Sequence, residues 1–230
     1  MPASDSRGLD PDTDVWSEVP SMPFSKAQMG PDEFLADMLK PIATGMTCHD
    51  GRLCVTQSLY SRPFFYDAGG KVYDPESSLW GDMPSGMGEG WPARQEGTKL
   101  NVVVGGELYG FDPSSSSSVE SGKIKVYDQK EDTWNVVIGE VPLYDAKDSE
   151  SSYLLAGFHG KLHFITRESN CNVSVFRADV TEIPGSKSVL GACSLKEKGN
   201  AANKSDTVVW KVIASKYFAA ELVSCQVTNI

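Results

Sequence analysis

The sequence predicts an all-β fold, a partial β-propeller made of four-stranded blades, and two spaced repeats carry this prediction. In the first repeat, an apolar or aromatic residue stands seven positions before a tryptophan, and an aspartate stands six positions before it. This pattern occurs in residues 9–16, 73–80 and 127–134. In the second repeat, a Gly-x-Leu sequence begins at Gly51, Gly106 and Gly160, which are 55 and 54 residues apart. Repeats of about 40–50 residues with a tryptophan at a fixed position are typical of propeller blades, whereas a β-sandwich of unrelated strands would not produce the spacing.

The composition restricts the class of protein further. The chain has 230 residues, and its 31 acidic against 21 basic residues give a net charge of −10, which argues against a nucleic acid or an anionic membrane as partner. No apolar run approaches the roughly 18 residues that span a bilayer, and the N-terminal sequence lacks the basic and apolar segments of a secretion signal. Five scattered cysteines are typical of reduced thiols, so we expect a cytoplasmic protein, a nuclear protein, or both.

Each repeat divides into four short strands. The first is an apolar run too short for a helix, which predicts inner strands at residues 43–49, 100–104 and 154–158. A tight turn follows at a glycine, which tolerates positive φ. Second strands are predicted at residues 53–55, 108–111 and 162–166, and third strands at residues 71–73, 124–127 and 173–176. A turn capped by an aspartate side chain then precedes the outer strand, which the tryptophan opens.

The repeated aromatic residues are predicted to be structural and to pack between adjacent blades. They are Trp16, Tyr73, Trp80, Tyr127, Trp134 and Trp210. In the last repeat, Phe176 and Trp210 are expected to hold the equivalent positions, although they are 34 residues apart instead of seven. Residues 181–206 between them are rich in Ser, Lys, Gly and Asn, which predicts a flexible inserted loop.

These elements predict how the chain is divided. Residues 9–24 are expected to form the end of one blade, residues 42–87, 98–141 and 153–217 three complete blades, and residues 218–230 the inner strand of a further blade. A ring of six such repeats needs more than the 230 residues present, so we expect only part of a propeller.

Long connections are expected at one end of the blades and tight turns at the other. The long connections are residues 20–41, 57–70, 84–97, 112–122 and 142–152. Long loops on a rigid scaffold often carry recognition, so this end is the candidate binding face. Residues 31–40 combine Pro and acidic residues at their start with apolar residues on one face, which predicts a short amphipathic helix in the first connection.

Two of these connections combine aromatic side chains with arginine, the residue types that dominate protein-binding hot spots. The candidate protein-binding residues are Arg62, Phe64, Trp91 and Arg94. The alternative is that Phe64 and Trp91 fold back to seal the core and that Arg94 is a structural hydrogen-bond donor. The sequence leaves both interpretations open.

The repeat, which reads Tyr-Asp-Pro-x-x-x-x-Trp at residues 73–80, together with Gly-x-Leu-Tyr at residues 106–109, resembles the kelch repeat. The longer strings at residues 83–94, 123–134 and 154–163 are similar to plant F-box/kelch-repeat proteins, and the resemblance covers the chain from about residue 9 onward. It implies the substrate-recognition part of a Skp–cullin–F-box ubiquitin ligase, whose propeller holds a target protein of unknown identity. In that family a Skp-type adaptor binds an F-box module, which this sequence does not contain, so we expect the chain to correspond to the C-terminal kelch portion.

Catalysis, cofactors and metal binding are not expected. Kelch propellers include the copper galactose oxidases, but this sequence has only three histidines. His49 with Cys48 and Cys54 lacks a fourth ligand for zinc, and the glycine-rich residues 86–90 lack the Lys-Ser/Thr of a phosphate loop. Two alternatives to a ubiquitin-ligase receptor stay open: a kelch scaffold unrelated to ubiquitin and, less favoured, an enzyme of the galactose-oxidase type.

Overall fold

A computed structural model describes more than half of the chain, and most of the described backbone is β-strand. The described residues are 6–10, 13–23, 40–61, 64–91, 101–112, 122–141, 153–168, 170–180, 210–218 and 222. They form three four-stranded antiparallel sheets and one two-stranded sheet, with one short helix in the described part. The prediction of an all-β fold with three complete blades and a partial one is confirmed.

The strands follow the predicted order in every blade. The half-blade consists of β1 (Ser6–Asp10) and β2 (Val15–Val19). The first blade consists of β3 (Lys40–His49), β4 (Arg52–Ser61), β5 (Phe64–Asp74) and β6 (Leu79–Asp82). The second consists of β7 (Asn101–Val104), β8 (Glu107–Asp112), β9 (Gly122–Asp128) and β10 (Thr133–Val141). The third consists of β11 (Tyr153–Phe158), β12 (Lys161–Arg167), β13 (Asn172–Asp179) and β14 (Lys211–Tyr217).

Several predicted segments fall largely on residues outside the described part of the chain. They are the helix at 31–40, the insert at 181–206, the connections at 112–122 and 142–152, and the terminal strand at 218–230. Of the predicted helix only Lys40 is described, and it begins β3. The described helix, α1 (Ser85–Glu89), lies in the connection predicted at residues 84–97. The chain divides into two compact units, residues 1–89 and residues 90–230.

The tight turns form as the glycine and aspartate positions predict. In all three complete blades, both residues between the first and second strands have positive φ, for example Gly105 at 61° and Gly106 at 82°. The turn before the outer strand is capped by an aspartate: Asp74 Oδ1 accepts a hydrogen bond from the amide of Glu76 at 2.9 Å. Asp128 Oδ1 accepts one from the amide of Lys130, also at 2.9 Å. Local sequence therefore determines these turns.

The first blade is larger than predicted, because β4 and β5 continue through the segment expected to be a loop. The prediction of a connection at residues 57–70 is wrong: Ser58 pairs with Asp67 and Ser61 pairs with Phe64, so only two residues separate the strands. A register shift between Thr56 and Ser58 makes this possible, and Gly69 with φ of 75° lies in the resulting bulge.

The main hydrophobic core lies in residues 90–230 and fills the space between the second and third blades. Its centre is aromatic: Phe111 packs on Tyr153 and on Phe164 with ring centroids 4.8 and 4.9 Å apart. At the other end of the same interface Gly157 lies against Val104, where an added Cβ would come within 2.6 Å of a methyl carbon. The glycine therefore sets the closest approach of the two inner strands.

The last blade departs from the predicted equivalence of Phe176 and Trp210. The register places Phe176 opposite Val212, with a shift beside Val175, and Trp210 precedes β14. In the other repeats, by contrast, the tryptophan pairs directly with the predicted partner, as Trp80 does with Tyr73. Trp210 is nevertheless buried and packs on Phe164 at 6.2 Å, so its structural role is in the core.

Candidate functional site

Strand direction gives each blade two distinct ends. We call the end with the two-residue glycine turns and the aspartate-capped turns the turn end. We call the other end, where the second strand leads to the third and the outer strand leaves the blade, the connection end. In the second and third blades the connection end is marked by Asp112, Val141, Tyr153 and Arg167. This is the end that the sequence identified as the candidate binding face.

The four candidate binding residues are described to different degrees. Arg62 and Arg94 lie outside the described residues. Phe64 begins β5 and pairs with Ser61, so its backbone is part of the sheet. Trp91 is half-buried, and its ring meets that of Trp134 edge to face at 6.0 Å and 81°. Its place in target binding stays a prediction.

The contact of Trp91 places it away from the connection end of the second blade. Trp134 is the second residue of β10, directly after the aspartate-capped turn, so Trp91 lies beside the turn end. Gly90 makes the contact possible, because a Cβ at that position would lie 2.0 Å from Trp134 Cδ1. The structure therefore does not bring Trp91 to the end of the blade that the sequence predicts as the binding face.

The first blade uses its outer-strand tryptophan in a similar way. Trp80 Nε1 donates a hydrogen bond to the carbonyl oxygen of Pro20 at 2.8 Å, and the Trp80 ring packs on Tyr73 at 5.1 Å. Gln57 Nε2 donates to the carbonyl oxygen of Pro23 at 3.3 Å. In both blades the tryptophan thus contacts its own tyrosine and the connection that leads into its own blade. Packing of the repeated aromatic residues between adjacent blades stays a prediction.

The connection end of the third blade carries four hydroxyl side chains in one register. Tyr153 pairs with Thr166, Thr166 with Ser174, and Ser174 with Ser215, so the four residues share one face of the sheet. We call them the hydroxyl row. The sequence alone does not reveal this set, because its members are spread over four strands and only strand register aligns them.

The surroundings of the hydroxyl row are polar at the connection end. Asp112 and Lys125 form an ion pair at 2.5 Å, and Asn101, the first residue of β7, is buried. Burial raises the pKa of Tyr153 to about 12, and the negative charge of Asp112 adds to the rise. The phenol therefore keeps its proton at neutral pH and can donate a hydrogen bond.

The cysteines and histidines singled out by the sequence do not converge on a site. Cys54 pairs with Thr47 and Cys48 with Leu53, so the two thiols lie on opposite faces of the β3–β4 hairpin. Burial raises the pKa of Cys54 to about 11, and burial lowers the pKa of His163. Among the described residues there is no group of three His, Cys, Asp or Glu side chains that could hold a metal ion. In the same part of the chain no helix is long and apolar enough to cross a membrane.

Comparison with known proteins gives relatives of a single kind. The whole chain aligns over 233 residues, at 71% identity, with an F-box/kelch-repeat protein of Arabidopsis thaliana. The chain covers 49% of that relative, about half its length. A stretch of 100 residues, 44% of the chain, is 29% identical to the F-box protein AFR of the same plant and covers 21% of it. No family model matches the chain.

Proposed function

We propose that the chain is part of an F-box/kelch-repeat protein and that its blades recognise a target protein for a Skp–cullin–F-box ubiquitin ligase. The observation that carries the proposal is the 71% identity over the whole chain with an F-box/kelch-repeat protein. The fold supports it, because each described blade is an antiparallel sheet whose connection end lies opposite its glycine turns, and recognition segments usually lie on the connections of such scaffolds. In this proposal the Skp-type adaptor contacts an F-box elsewhere in the whole protein.

The proposed protein is a binding subunit and not an enzyme. The names of its relatives, an F-box/kelch-repeat protein and an F-box protein, support a role as an adaptor in ubiquitin conjugation. We place it in the cytoplasm or nucleus, where the ubiquitin system acts. Its three described cysteines are free thiols, which is typical of reducing compartments.

The binding residues are proposed at the connections. Arg62, Phe64 and Arg94 are the candidates, with Trp91 as a fourth whose contact with Trp134 also gives it a packing role. Arginine supplies a planar set of donors for carboxylates or carbonyls, and aromatic rings supply large apolar anchors.

The proposal is tested by co-precipitation from plant cells. We expect the whole protein that contains this chain to recover a Skp-type adaptor, a cullin and a set of further proteins. Deleting these 230 residues should keep the adaptor and the cullin but lose the further proteins, which should accumulate in cells that lack the gene. If the whole protein recovers binding partners without adaptor or cullin, the ubiquitin-ligase proposal is wrong and a kelch scaffold unrelated to ubiquitin takes its place.

A further inference from the structure

One face of the third blade is positively charged, although the chain as a whole carries a net charge of −10. It is the face opposite the hydroxyl row, because side chains alternate along each strand. Three rows of paired residues cross it from β12 through β13 to β14. The first row is Arg167–Val173–Lys216, the second is Ile165–Val175–Ala214, and the third is His163–Arg177–Lys211. We call these nine residues the cationic face.

The positive charges of the cationic face are not neutralised within the described part of the chain. The cations that have no ion pair there are Arg167, Arg177, Lys211 and Lys216. Lys161, next to the third row, does have one, with Asp179. Glu168 is adjacent to the first row in sequence, but its carboxylate oxygens accept hydrogen bonds from Asn170 and from Ser174, a member of the hydroxyl row. Its charge is therefore held on the other side of the sheet.

The histidine of the third row responds to these charges. Burial lowers the pKa of His163, and the positive charges of Arg177 and Lys161 also lower it, against a backbone hydrogen bond with Lys161 that raises it. The imidazole is therefore uncharged at neutral pH. The arginines and lysines, and not the histidine, supply the attraction for an anion.

The outer half of the cationic face is accessible, and its inner edge is not. All seven residues of β14 are exposed, and β14 is the edge strand of its described sheet. On the inner strand, Leu154 pairs with Ile165 and Ala156 with His163, and these two residues are 2% and 7% exposed. Blades of a propeller converge at their inner strands and diverge at their outer strands, so a further blade beside this one would leave the outer half more open.

The spacing of the rows selects the kind of ligand that fits. Val173 of the first row and Arg177 of the third are four residues apart on β13, about 13 Å at the rise of an extended strand. Residues two and four positions apart lie on the same side of an extended strand. A segment extended along β13 would thus place one residue opposite each row. Acidic residues suit the first and third rows, each of which has an arginine and a lysine, and an apolar residue suits Val175 between them.

We propose that the outer half of the cationic face binds an extended acidic segment of the target, with two carboxylates four positions apart and an apolar side chain midway between them. The inference rests on the proposed protein-binding function and specifies the chemistry of the target. The cations lie on paired strands, which hold their geometry better than a connection does. Arg167 Nη2 also donates to Cys171 Sγ at 3.1 Å, which fixes the guanidinium beside the first row.

The test uses the full chain and, as the probe, a synthetic peptide with Glu-Thr-Val-Thr-Glu at its centre between serine and threonine residues. Fluorescence anisotropy at low salt measures its binding to wild type and to the double variant Lys211→Gln, Lys216→Gln. We expect the double variant to bind about tenfold more weakly or worse, because each carboxylate loses one of its two cations. The melting temperature should stay unchanged, because both lysines are exposed.

The matched control variant is Lys123→Gln, Lys130→Gln, which removes the same net charge from the second blade. It should change peptide binding by less than about twofold, because distant surface charges are screened by salt. A control peptide with its two glutamates three positions apart places the carboxylates on opposite sides of the strand and should bind as weakly as a peptide with glutamines. In the whole protein, the variant of Lys211 and Lys216 should recover the adaptor and the cullin but fewer of the further proteins.

Four outcomes would overturn the inference. The cationic face is not an acidic-segment site if wild type does not bind the probe peptide, or if the Lys211 and Lys216 variant binds it equally well. Equal affinity for the two glutamate spacings would remove the extended geometry. Binding at least about tenfold tighter to a peptide with phosphoserines in place of the glutamates would make phosphate, and not carboxylate, the ligand. If the whole-protein variant still recovers every further protein, the target binds elsewhere and the proposed function stands. If the wild-type whole protein recovers no further protein, the inference and the proposed function both fail.

Discussion

At the scale of the residue, the contacts of Trp80 explain why the repeat places a tryptophan at the start of the outer strand. The Trp80 ring packs on Tyr73, and its Nε1 donates a hydrogen bond to the Pro20 carbonyl. One side chain therefore connects two parts of the chain. An indole is suited to this because it combines a large apolar surface with a single N–H donor. Trp134 makes ring contacts with Tyr127 and Trp91.

The Trp80 hydrogen bond can be tested by Trp80→Phe, which keeps an aromatic ring and removes the donor. We expect the free energy of unfolding to fall by about 1 kcal/mol, the typical value of one hydrogen bond, in denaturant melts. Trp16→Phe is the control, since Trp16 is 62% exposed and should change stability by less than about 0.5 kcal/mol. Equal losses in the two variants would contradict a specific role for the Pro20 contact.

The two candidate residues on the connection into the second blade should behave differently. Trp91→Ala should lower the melting temperature, because it removes the edge-to-face contact with Trp134. Arg94→Ala should weaken binding of a recovered target by about 2 kcal/mol, the scale of a binding hot spot, when affinity is measured with the whole protein. Asp132→Ala at the turn end is the control for binding. If a target binds the Arg94→Ala variant with wild-type affinity, Arg94 is not part of the binding site.

The buried thiol of Cys54 makes stability depend on alkaline pH. Burial raises its pKa from 9.0 to about 11 in the folded state, so the unfolded state loses the proton first as pH rises. The stabilising contribution is complete below pH 9 and is lost as pH approaches 11. We expect unfolding free energy to fall more steeply between these pH values in wild type than in Cys54→Ala. Parallel curves for the two proteins would show that the thiol does not titrate differently on folding.

At the scale of the element, the turns before the outer strands carry a conformational cost that the sequence does not show. Ser78 and Asp132 precede their strands with φ of 56° and 50°, a region that favours glycine. Asp132 also accepts a hydrogen bond from the Tyr127 hydroxyl at 2.6 Å, which offsets the cost. No such bond is described for Ser78.

This difference predicts opposite effects of glycine at the two turns. Ser78→Gly should raise the free energy of unfolding by about 0.5–1 kcal/mol, because it relieves positive φ in a non-glycine residue. Asp132→Gly should lower it, because the lost hydrogen bond outweighs the relief. Thermal melts of the two variants measure these changes in the free energy of unfolding. Destabilisation by Ser78→Gly would mean that the serine side chain contributes more than its backbone conformation costs.

Local sequence predicted the elements well and their pairing less well. Glycine and aspartate turns follow from one or two residues, and the strand order follows from the repeat. The extension of β4 and β5 could not be predicted, since Pro63 and the pair Gly69-Gly70 indicate a loop until the bulge in their register is known. The hydroxyl row could not be predicted from the sequence for the same reason, because Ser174 and Ser215 meet across 41 residues of chain.

At the scale of the whole molecule, the core is distributed unevenly along the chain. The contiguous cluster of buried hydrophobic residues belongs to the second and third blades, within residues 90–230. In the described part of the chain the half-blade has two strands, and four of the five residues of β2 are exposed. A two-stranded sheet is marginally stable by itself, because it buries little apolar surface for the backbone that it orders.

Hydrogen exchange should therefore separate the blades by their local stability. We expect amides of β8 and β12, whose strands hold Phe111 and Phe164 in the aromatic centre, to be among the slowest. Amides of β1 and β2 should exchange at least about 100-fold faster, which corresponds to roughly 2.7 kcal/mol of local stability. The measurement is exchange followed by mass spectrometry at constant pH on the full chain. Because repeat proteins open locally when each unit contacts only its neighbours, uniform exchange over all blades would contradict the unequal core and indicate a single cooperative unit.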